Sequence, residues 1–323
     1  MKEWVIVGGG IQGVTLAAFL LRKKKVSLEG LSIIDPHYEP LSNWKHCTAA
    51  ISMPYLRSPS VHHIDEGPFS LQKFAGETKK RGAFYGRYKR PSLKLFNEHC
   101  QHVIQDTKMK DSWVQGRGKE AMETDGGWRL ALQDGRTIET KNLAISIGIG
   151  EQPFIPEWAL SLKEEGCPSI YHIFEKGMPA LEQLQGPITI LGGGISAAHL
   201  AISLSPQYPG QVTLLKRHPF RVHDFDSDPG WLGPKNQFGF RKFKCLKEKR
   251  RKIITARNKG SLPVELLAKI KHLVKVDLLH HIDGHVERAE WSGESISMFN
   301  KEGEHIHQTG TVVLATGFQA GLP

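Results

Sequence analysis

Two short stretches of this 323-residue chain carry residue types and spacings suited to holding a dinucleotide. The first is Gly8-Gly9-Gly10-Ile11-Gln12-Gly13, set between the apolar run Trp4 to Val7 and the helix-forming run Val14 to Leu21. In a G-x-G-x-x-G turn each glycine has its own reason. Gly8 permits the tight turn, Gly10 lets backbone approach a pyrophosphate, and Gly13 lets the helix pack closely on the strand. The helix N-terminus then faces the negative charge. A second apolar run, Leu31 to Ile34, ends in Asp35, 22 residues after Gly13. A carboxylate there accepts hydrogen bonds from ribose hydroxyls and repels a 2′-phosphate, so this unit suits FAD or NAD and excludes NADP.

The same grammar returns later. Pro187 to Leu191 reads as a strand, Gly192-Gly193-Gly194-Ile195-Ser196-Ala197 as the turn, Ala198 to Leu204 as the helix and Gln211 to Leu215 as the second strand. Alanine takes the place of the third glycine. Where the first unit has its acid, the second has Lys216 and Arg217, nineteen and twenty residues after Ala197. Cations there fit a 2′-phosphate, so Gly192, Gly194, Ser196, Ala197, Lys216 and Arg217 are the candidate NADPH residues; the alternative is a pair of solvated strand-end charges. Ser196 lacks the G-x-S-x-G elbow of a hydrolase nucleophile.

Both units also close alike. After the first come Trp128 to Leu132, the turn Asp134-Gly135, Thr137 to Glu139, and then the return strand Leu143 to Ile147 running into Gly148. After the second come Glu287 to Trp291, Ser295 to Phe299, His305 to His307, and then Val312 to Ala315 running into Thr316-Gly317. The expected fold is α/β, with two Rossmann-like dinucleotide-binding domains of the three-layer ββα/βα type, each carrying a β-meander. Residues 1–150 with 310–323 form a discontinuous FAD domain, and 151–309 an NADP(H) domain.

Composition agrees with an ordinary folded protein: 39% of residues are apolar and 24% charged, which excludes collagen-like and disordered classes. Three glycines interrupt the apolar N-terminal run, and Arg22 to Lys25 follow it, so neither a signal peptide nor a membrane span is expected, and the location expected is cytoplasmic. Cys47, Cys100, Cys167 and Cys245 form no C-x-x-C pair, and the neighbouring histidines His62-His63 and His280-His281 point in different directions, so no metal is expected. The net charge of +10 has one source: Lys235 to Lys259 hold eleven Lys/Arg and one acid, Glu248, and the 32 other basic residues balance 32 acids. Phe238, Phe240, Phe243, Leu246, Ile253 and Ile254 punctuate that stretch like the buried side of a helical segment. A solvated basic face is the leading reading, a cofactor-phosphate or acidic-partner site the second, and nucleic acid or membrane the least favoured.

Taken together, these residues resemble the class B flavin-dependent monooxygenases of the lysine/ornithine N-hydroxylase-like branch. The likeness is carried by Met53-Pro54-Tyr55-Leu56-Arg57 with Pro68-Phe69-Ser70-Leu71, by Arg90 to Phe96, by Ile147-Gly148 with Pro153 to Pro156, and by Ser169 to His172. It extends to Gly192 to Ala198, to Asp226 to Pro229 with Asn236 and Phe238, and to Leu314-Ala315-Thr316-Gly317-Phe318. It implies FAD held at Gly8, Gly10, Gly13, Asp35, Trp44, Met53, Gly148, Thr316 and Gly317, and a flavin and substrate pocket around Trp44, Met53, Arg57, Ser58 and Asn236, with Arg57 and Asn236 as catalytic candidates. It also implies hydride passing from NADPH to FAD, reaction with O2 to a C4a-hydroperoxyflavin, and attack by a nucleophilic nitrogen or sulfur of a small molecule. Arg57 stands where the family usually has a lysine. Family members continue past the A-T-G strand with residues that cover the flavin ring, which the sequence to Pro323 does not provide. The expected partners are a small-molecule substrate and O2, with no nucleic acid or membrane, and a homo-oligomer is possible. Two alternatives stay open: a flavin-dependent NAD(P)H oxidoreductase that inserts no oxygen, and a cofactor-binding protein without turnover.

Overall fold

The computed structural model describes residues 1–79, 81–148 and 151–319, which divide into two units. One holds Met1–Ala49 and Met53–Glu151; the other holds Gln152–Gln319 with Ala50–Ser52.

The first unit runs β1 (Lys2–Val7), α1 (Ile11–Arg22), β2 (Leu31–Asp35), α2 (Ser42–Ala50), α3 (Ser70–Glu77), a two-residue pair β3 (Phe84–Tyr85) and β4 (Arg90–Pro91), α4 (Leu93–Asp106), β5 (Trp113–Gln115), β6 (Gly118–Thr124), β7 (Gly127–Leu132) and β8 (Thr137–Ile145). Its sheet has the order β5-β2-β1-β8-β7-β6. The four strands from β5 to β8 are parallel, and the last two pairings are antiparallel. Alternation explains the core. Val5, Val7 and Ile34 face one cluster with Leu130 and Leu132, while Ile6, Leu31 and Ile33 face another with Val14, Ala17 and Ala18 of α1. Both faces of the central strands are therefore covered, as a parallel sheet requires.

The return strand differs from expectation. Thr137–Glu139 and Leu143–Ile147 were read as separate strands, but β8 runs unbroken from Thr137 to Ile145, pairing with β7 at one end and β1 along the other. Nothing between Glu139 and Asn142 breaks it, for the stretch holds neither glycine nor proline.

Helix α4 begins at a cap: the Ser92 hydroxyl accepts from the Leu95 N–H at 3.2 Å. Its buried face is Leu95, Phe96, His99, Cys100, Val103 and Ile104, the i, i+3/i+4 stripe of an amphipathic helix. His99 reaches α3. Its Nε2–H donates to Ser70 Oγ at 2.9 Å, and that hydroxyl donates to Asp65 at 2.5 Å, so the 60s loop is fastened to the helix pair. His99 Nδ1 is buried with no partner. Desolvation pulls the imidazole down to about 4 from the ordinary 6.5, and it does the same to the buried His199 in the other unit. The unfolded chain binds these protons first. Stability is accordingly full above about pH 6.5 and lost as pH falls toward 4, by about 2 kcal/mol per histidine between pH 7 and pH 5. Urea unfolding at the two pH values should show this, and His99→Gln, which keeps the donor to Ser70, should remove one histidine's share.

The second unit runs α5 (Glu157–Glu164), β9 (Ile170–His172), β10 (Ile188–Leu191), α6 (Ile195–Leu204), β11 (Val212–Lys216), β12 (Arg221–Val222), α7 (Pro234–Arg241), α8 (Leu246–Thr255), β13 (Ser261–Leu262), α9 (Val264–Lys275), β14 (His280–Asp283), β15 (Arg288–Trp291), β16 (Ile296–Phe299), β17 (His305–Thr309) and β18 (Thr311–Leu314). Five parallel strands form its main sheet in the order β14-β11-β10-β18-β9. The meander β15-β16-β17 is a sheet of its own. Here Gly310 separates β17 from β18, and its N–H turns to the Pro187 carbonyl at 3.0 Å. The two closures therefore differ by one breaker residue.

β18 also corrects the expected domain boundary. Thr311–Leu314 lies between β10 and β9, so residues 311–319 belong to the second unit and not to the FAD domain. Residues 320–323 of the expected segment lie outside the described residues, as do 149 and 150 at the other boundary. No helix among the described residues is long and apolar enough to cross a membrane.

Candidate functional site

The first glycine turn has the geometry its spacing demands. Gly8 sits at φ +106°, and a side chain there would meet the Ser146 carbonyl oxygen at 2.5 Å. A Cβ on Gly13 would lie 1.8 Å from the Gly8 carbonyl oxygen, so only glycine allows α1 to sit this close to the turn. Around Gly10, the residue capping α1, a Cβ would meet nothing within 4 Å. Gly8 and Gly13 are thus pressed against protein while Gly10 faces open space at a helix N-terminus. That is the form of a cradle for a diphosphate.

Asp35, at the end of β2, does two things. Its Oδ2 accepts the Gly9 N–H at 2.7 Å, and its Oδ1 accepts the His37 N–H at 2.9 Å and His37 Nδ1–H at 2.8 Å. A carboxylate oxygen takes two donors, so Oδ2 keeps capacity for one ribose hydroxyl while the side chain also braces the turn. His37 Nε2 lies 3.8 Å from Glu151, which pairs with Arg117 at 2.5 Å. Gly9 and His37 escaped the motif. A Cβ on Gly9 would collide with the Trp113 ring at 2.0 Å, so this glycine makes room for an aromatic from β5, and nothing near Gly9 in sequence announces it.

Trp44 lies in α2 and packs against α4, with Nε1–H donating to Asn97 at 3.0 Å and its ring 5.4 Å from Phe96. Met53 packs on the same apolar cluster. Arg57 and Ser58 are half-buried in the bend that follows, and Gly148 is exposed three residues beyond β8. Asn236, half-buried in α7, belongs to the second unit, whereas Arg57 belongs to the first.

The second turn repeats the first with changes. Gly192 sits at φ +150°, its Cβ position 2.7 Å from the Ala315 carbonyl oxygen and 3.3 Å from Ala197 Cβ, so the alanine of the motif is packed against the turn. Gly194 caps α6, and Ser196 stands half-buried in the first turn of that helix. Unlike Gly10, Gly194 has a neighbour, because its Cβ position is 3.4 Å from Gly260 Cα. Gly260, at φ +66°, and His218, whose Cε1 lies 3.6 Å from the Cβ position of Gly193, border this turn without having been foreseen.

Lys216, whose Cβ lies 3.3 Å from the Cβ position of Gly193 in the second turn, already has a partner. It is the last residue of β11, only 3% exposed, in register with Asp283 of β14 and ion-paired with it. Its ammonium also lies 4.5 Å from the Phe220 ring centre. Strand pairing carried one residue beyond the expected end, so the side chain turned inward. Arg217, the next residue, is exposed. Lys216→Met is therefore expected to leave the preference between NADPH and NADH unchanged, which steady-state reduction with each nucleotide would check.

Thr316 and Gly317 lie just beyond the end of β18. The Thr316 hydroxyl donates to the Phe154 carbonyl, Phe154 N–H donates to the Gly317 carbonyl at 2.9 Å, and Phe318 stacks on Phe174 at 5.2 Å. All of these lie in the second unit. Within that unit they follow Ala315, whose carbonyl oxygen lies 2.7 Å from the Cβ position of Gly192.

A family model for L-lysine 6-monooxygenase/L-ornithine 5-monooxygenase matches residues 96–261, just over half of the sequence, from α4 through the second glycine turn to β13. The chain belongs to this family. Among solved structures it is similar to the ornithine N-hydroxylase of Kutzneria sp. 744 (14% identity, TM-score 0.74, 99% of this chain and 81% of that one). It is similar too to the ornithine hydroxylase of Pseudomonas aeruginosa (18%, TM-score 0.69, 99% and 83%) and the cadaverine monooxygenase of Erwinia amylovora (16%, TM-score 0.73, 100% and 79%). These likenesses establish the two-dinucleotide-domain fold. A search of the curated proteins finds no match. Since the family match begins at residue 96, the first glycine turn stands on its own geometry.

Among the described residues no group of three His, Cys, Asp or Glu side chains is placed to hold a metal ion. Burial pushes the thiols of Cys47 and Cys100 up to about 11 and about 12, which keeps both as neutral, unreactive groups.

Proposed function

We propose that this member of the N-hydroxylating monooxygenase family holds FAD at Gly8, Gly10, Gly13 and Asp35 and NADPH at Gly192, Gly194, Ser196, Ala197 and Arg217, and oxygenates a nucleophilic nitrogen or sulfur of a small molecule. The observation that carries this reading is the contrast at two equivalent strand ends. A carboxylate with one accepting position left stands beside the first turn, and an exposed guanidinium, Arg217, follows directly on β11, its neighbours Lys216 and His218 bordering the second turn. Both glycine turns present the N-terminus of a helix of ten residues or more.

Bound flavin and nicotinamide supply hydride transfer and the activation of O2. The chain's own residues do the holding. Gly10 admits the diphosphate, and Asp35 accepts a ribose hydroxyl while His37 and the Gly9 N–H keep the carboxylate in place. Arg217 offers a planar donor set to the 2′-phosphate. The ornithine N-hydroxylase of Kutzneria sp. 744, in complex with reduced FAD, NADP+ and L-ornithine, supports amines as the substrate class. Arg57 is proposed to face the substrate in place of the family's lysine, and its fork favours a carboxylate-bearing amine.

The experiment is a spectrum of the purified protein. Yellow colour that bleaches with NADPH under nitrogen supports the cofactor assignments; a colourless protein that takes up no added FAD defeats them. Under air, a hydroxylated amine distinguishes oxygenation from an oxidoreductase that yields only peroxide.

A further inference from the structure

The basic segment 235–259 folds in a way its pattern concealed. Its apolar residues were expected to face a core, yet neither α7 nor α8 buries a single residue among those described. Leu246 is 78% exposed, Phe238 68%, Ile253 51% and Ile254 49%. A ten-residue helix gains little from its own hydrogen bonds in water. Leaving four large apolar side chains in solvent adds to the cost.

The distribution around α8 is ordered. Leu246 and Ile253, seven residues apart, share one face bordered by Lys249 on one side and Arg250 on the other, with Ile254 next beyond Arg250, and the one acid, Glu248, lies on the far side. None of Lys247, Lys249, Arg250, Arg251 and Lys252 has a carboxylate within ion-pair distance among the described residues; Lys249 instead lies over the Phe240 ring at 6.0 Å, and Lys242 over Phe238 at 4.4 Å. An apolar strip bordered by long cationic side chains is the build of a helix that lies in an interface, the strip among acyl chains and the amines and guanidinium reaching back to phosphates. Leu246, Ile253 and Ile254 offer no stacking to bases, and Lys242 lies over the ring of Phe238, which disfavours nucleic acid. An acidic protein would need a groove shaped to this strip, whereas a fluid leaflet needs none.

We infer that α7 and α8 form a docking surface for an anionic lipid leaflet, entered by Leu246, Ile253, Ile254 and Phe238 and held by the surrounding Lys and Arg. This inference is independent of the cofactor assignments.

The test is co-sedimentation of the full chain with vesicles of phosphatidylcholine alone or mixed with phosphatidylglycerol. Binding is expected only with the mixture, weakened by salt. Lys249→Gln, Arg250→Gln and Lys252→Gln together should lower partitioning about a hundredfold, at roughly 1 kcal/mol per cation near the surface. Leu246→Ser with Ile253→Ser should lower it about tenfold or more while every charge remains. Because these positions are exposed, circular dichroism and flavin content should stay as in the parent. No binding to the mixture, equal binding to both vesicles, or binding that survives the two serines overturns the inference. So does capture by polyglutamate, the stand-in for an acidic protein, without capture by vesicles.

Discussion

Gly10→Val is expected to give a folded protein without flavin. The open space at this position is what a diphosphate would occupy, and the backbone angle, φ −73°, is one that valine adopts without strain. The substitution therefore spares the fold and fills the cradle. Losing two charge-assisted hydrogen bonds from the helix end, at about 1.5–3 kcal/mol each, weakens FAD at least about a hundredfold. Absorbance near the flavin bands, against protein measured independently, reads the outcome directly. Gly13→Val is the contrast, since its side chain would strike the Gly8 carbonyl. That variant should lose folded protein as well as colour. Should Gly10→Val keep its flavin in full, the first turn does not hold the diphosphate.

How far such sites can be read in advance depends on how local their physics is. The glycines of the two turns were legible because the backbone conformation and close approach they permit are properties of a few neighbouring residues. Asp35 was legible as an acid at a strand tip, but its bonds to the Gly9 N–H and His37 exist only once the turn has closed. The pairing of Lys216 was not legible because its partner, Asp283, is 67 residues away and arrives only through strand pairing. The continuity of β8 could have been foreseen from the absence of any breaker between Glu139 and Asn142, and the break before β18 from Gly310. The opposite failure is α8, where an apolar rhythm matched a buried helix although none of its residues is buried among those described. Periodicity reports which side chains share a face; it does not report what that face meets.

Arg217→Ala should separate the two nicotinamide cofactors. With Lys216 held by Asp283, the exposed guanidinium at the end of β11 is the strand-end cation left to meet a 2′-phosphate. One charge-assisted contact contributes about 1.5–3 kcal/mol, so the variant's KM for NADPH should rise roughly ten- to a hundredfold, with kcat at saturation little changed. NADH has no phosphate at that position, so its KM should stay where it is. Arg217→Lys should recover only part of the loss, because an ammonium keeps the charge but not the planar pair of donors. Raising the salt should narrow the gap between parent and variant, since an exposed contact is screened. Equal losses for both nucleotides would mean that Arg217 serves the turn and not the phosphate. Loss of NADPH selectivity in Lys216→Met but not in Arg217→Ala would mean that the buried ammonium leaves Asp283 when the nucleotide arrives.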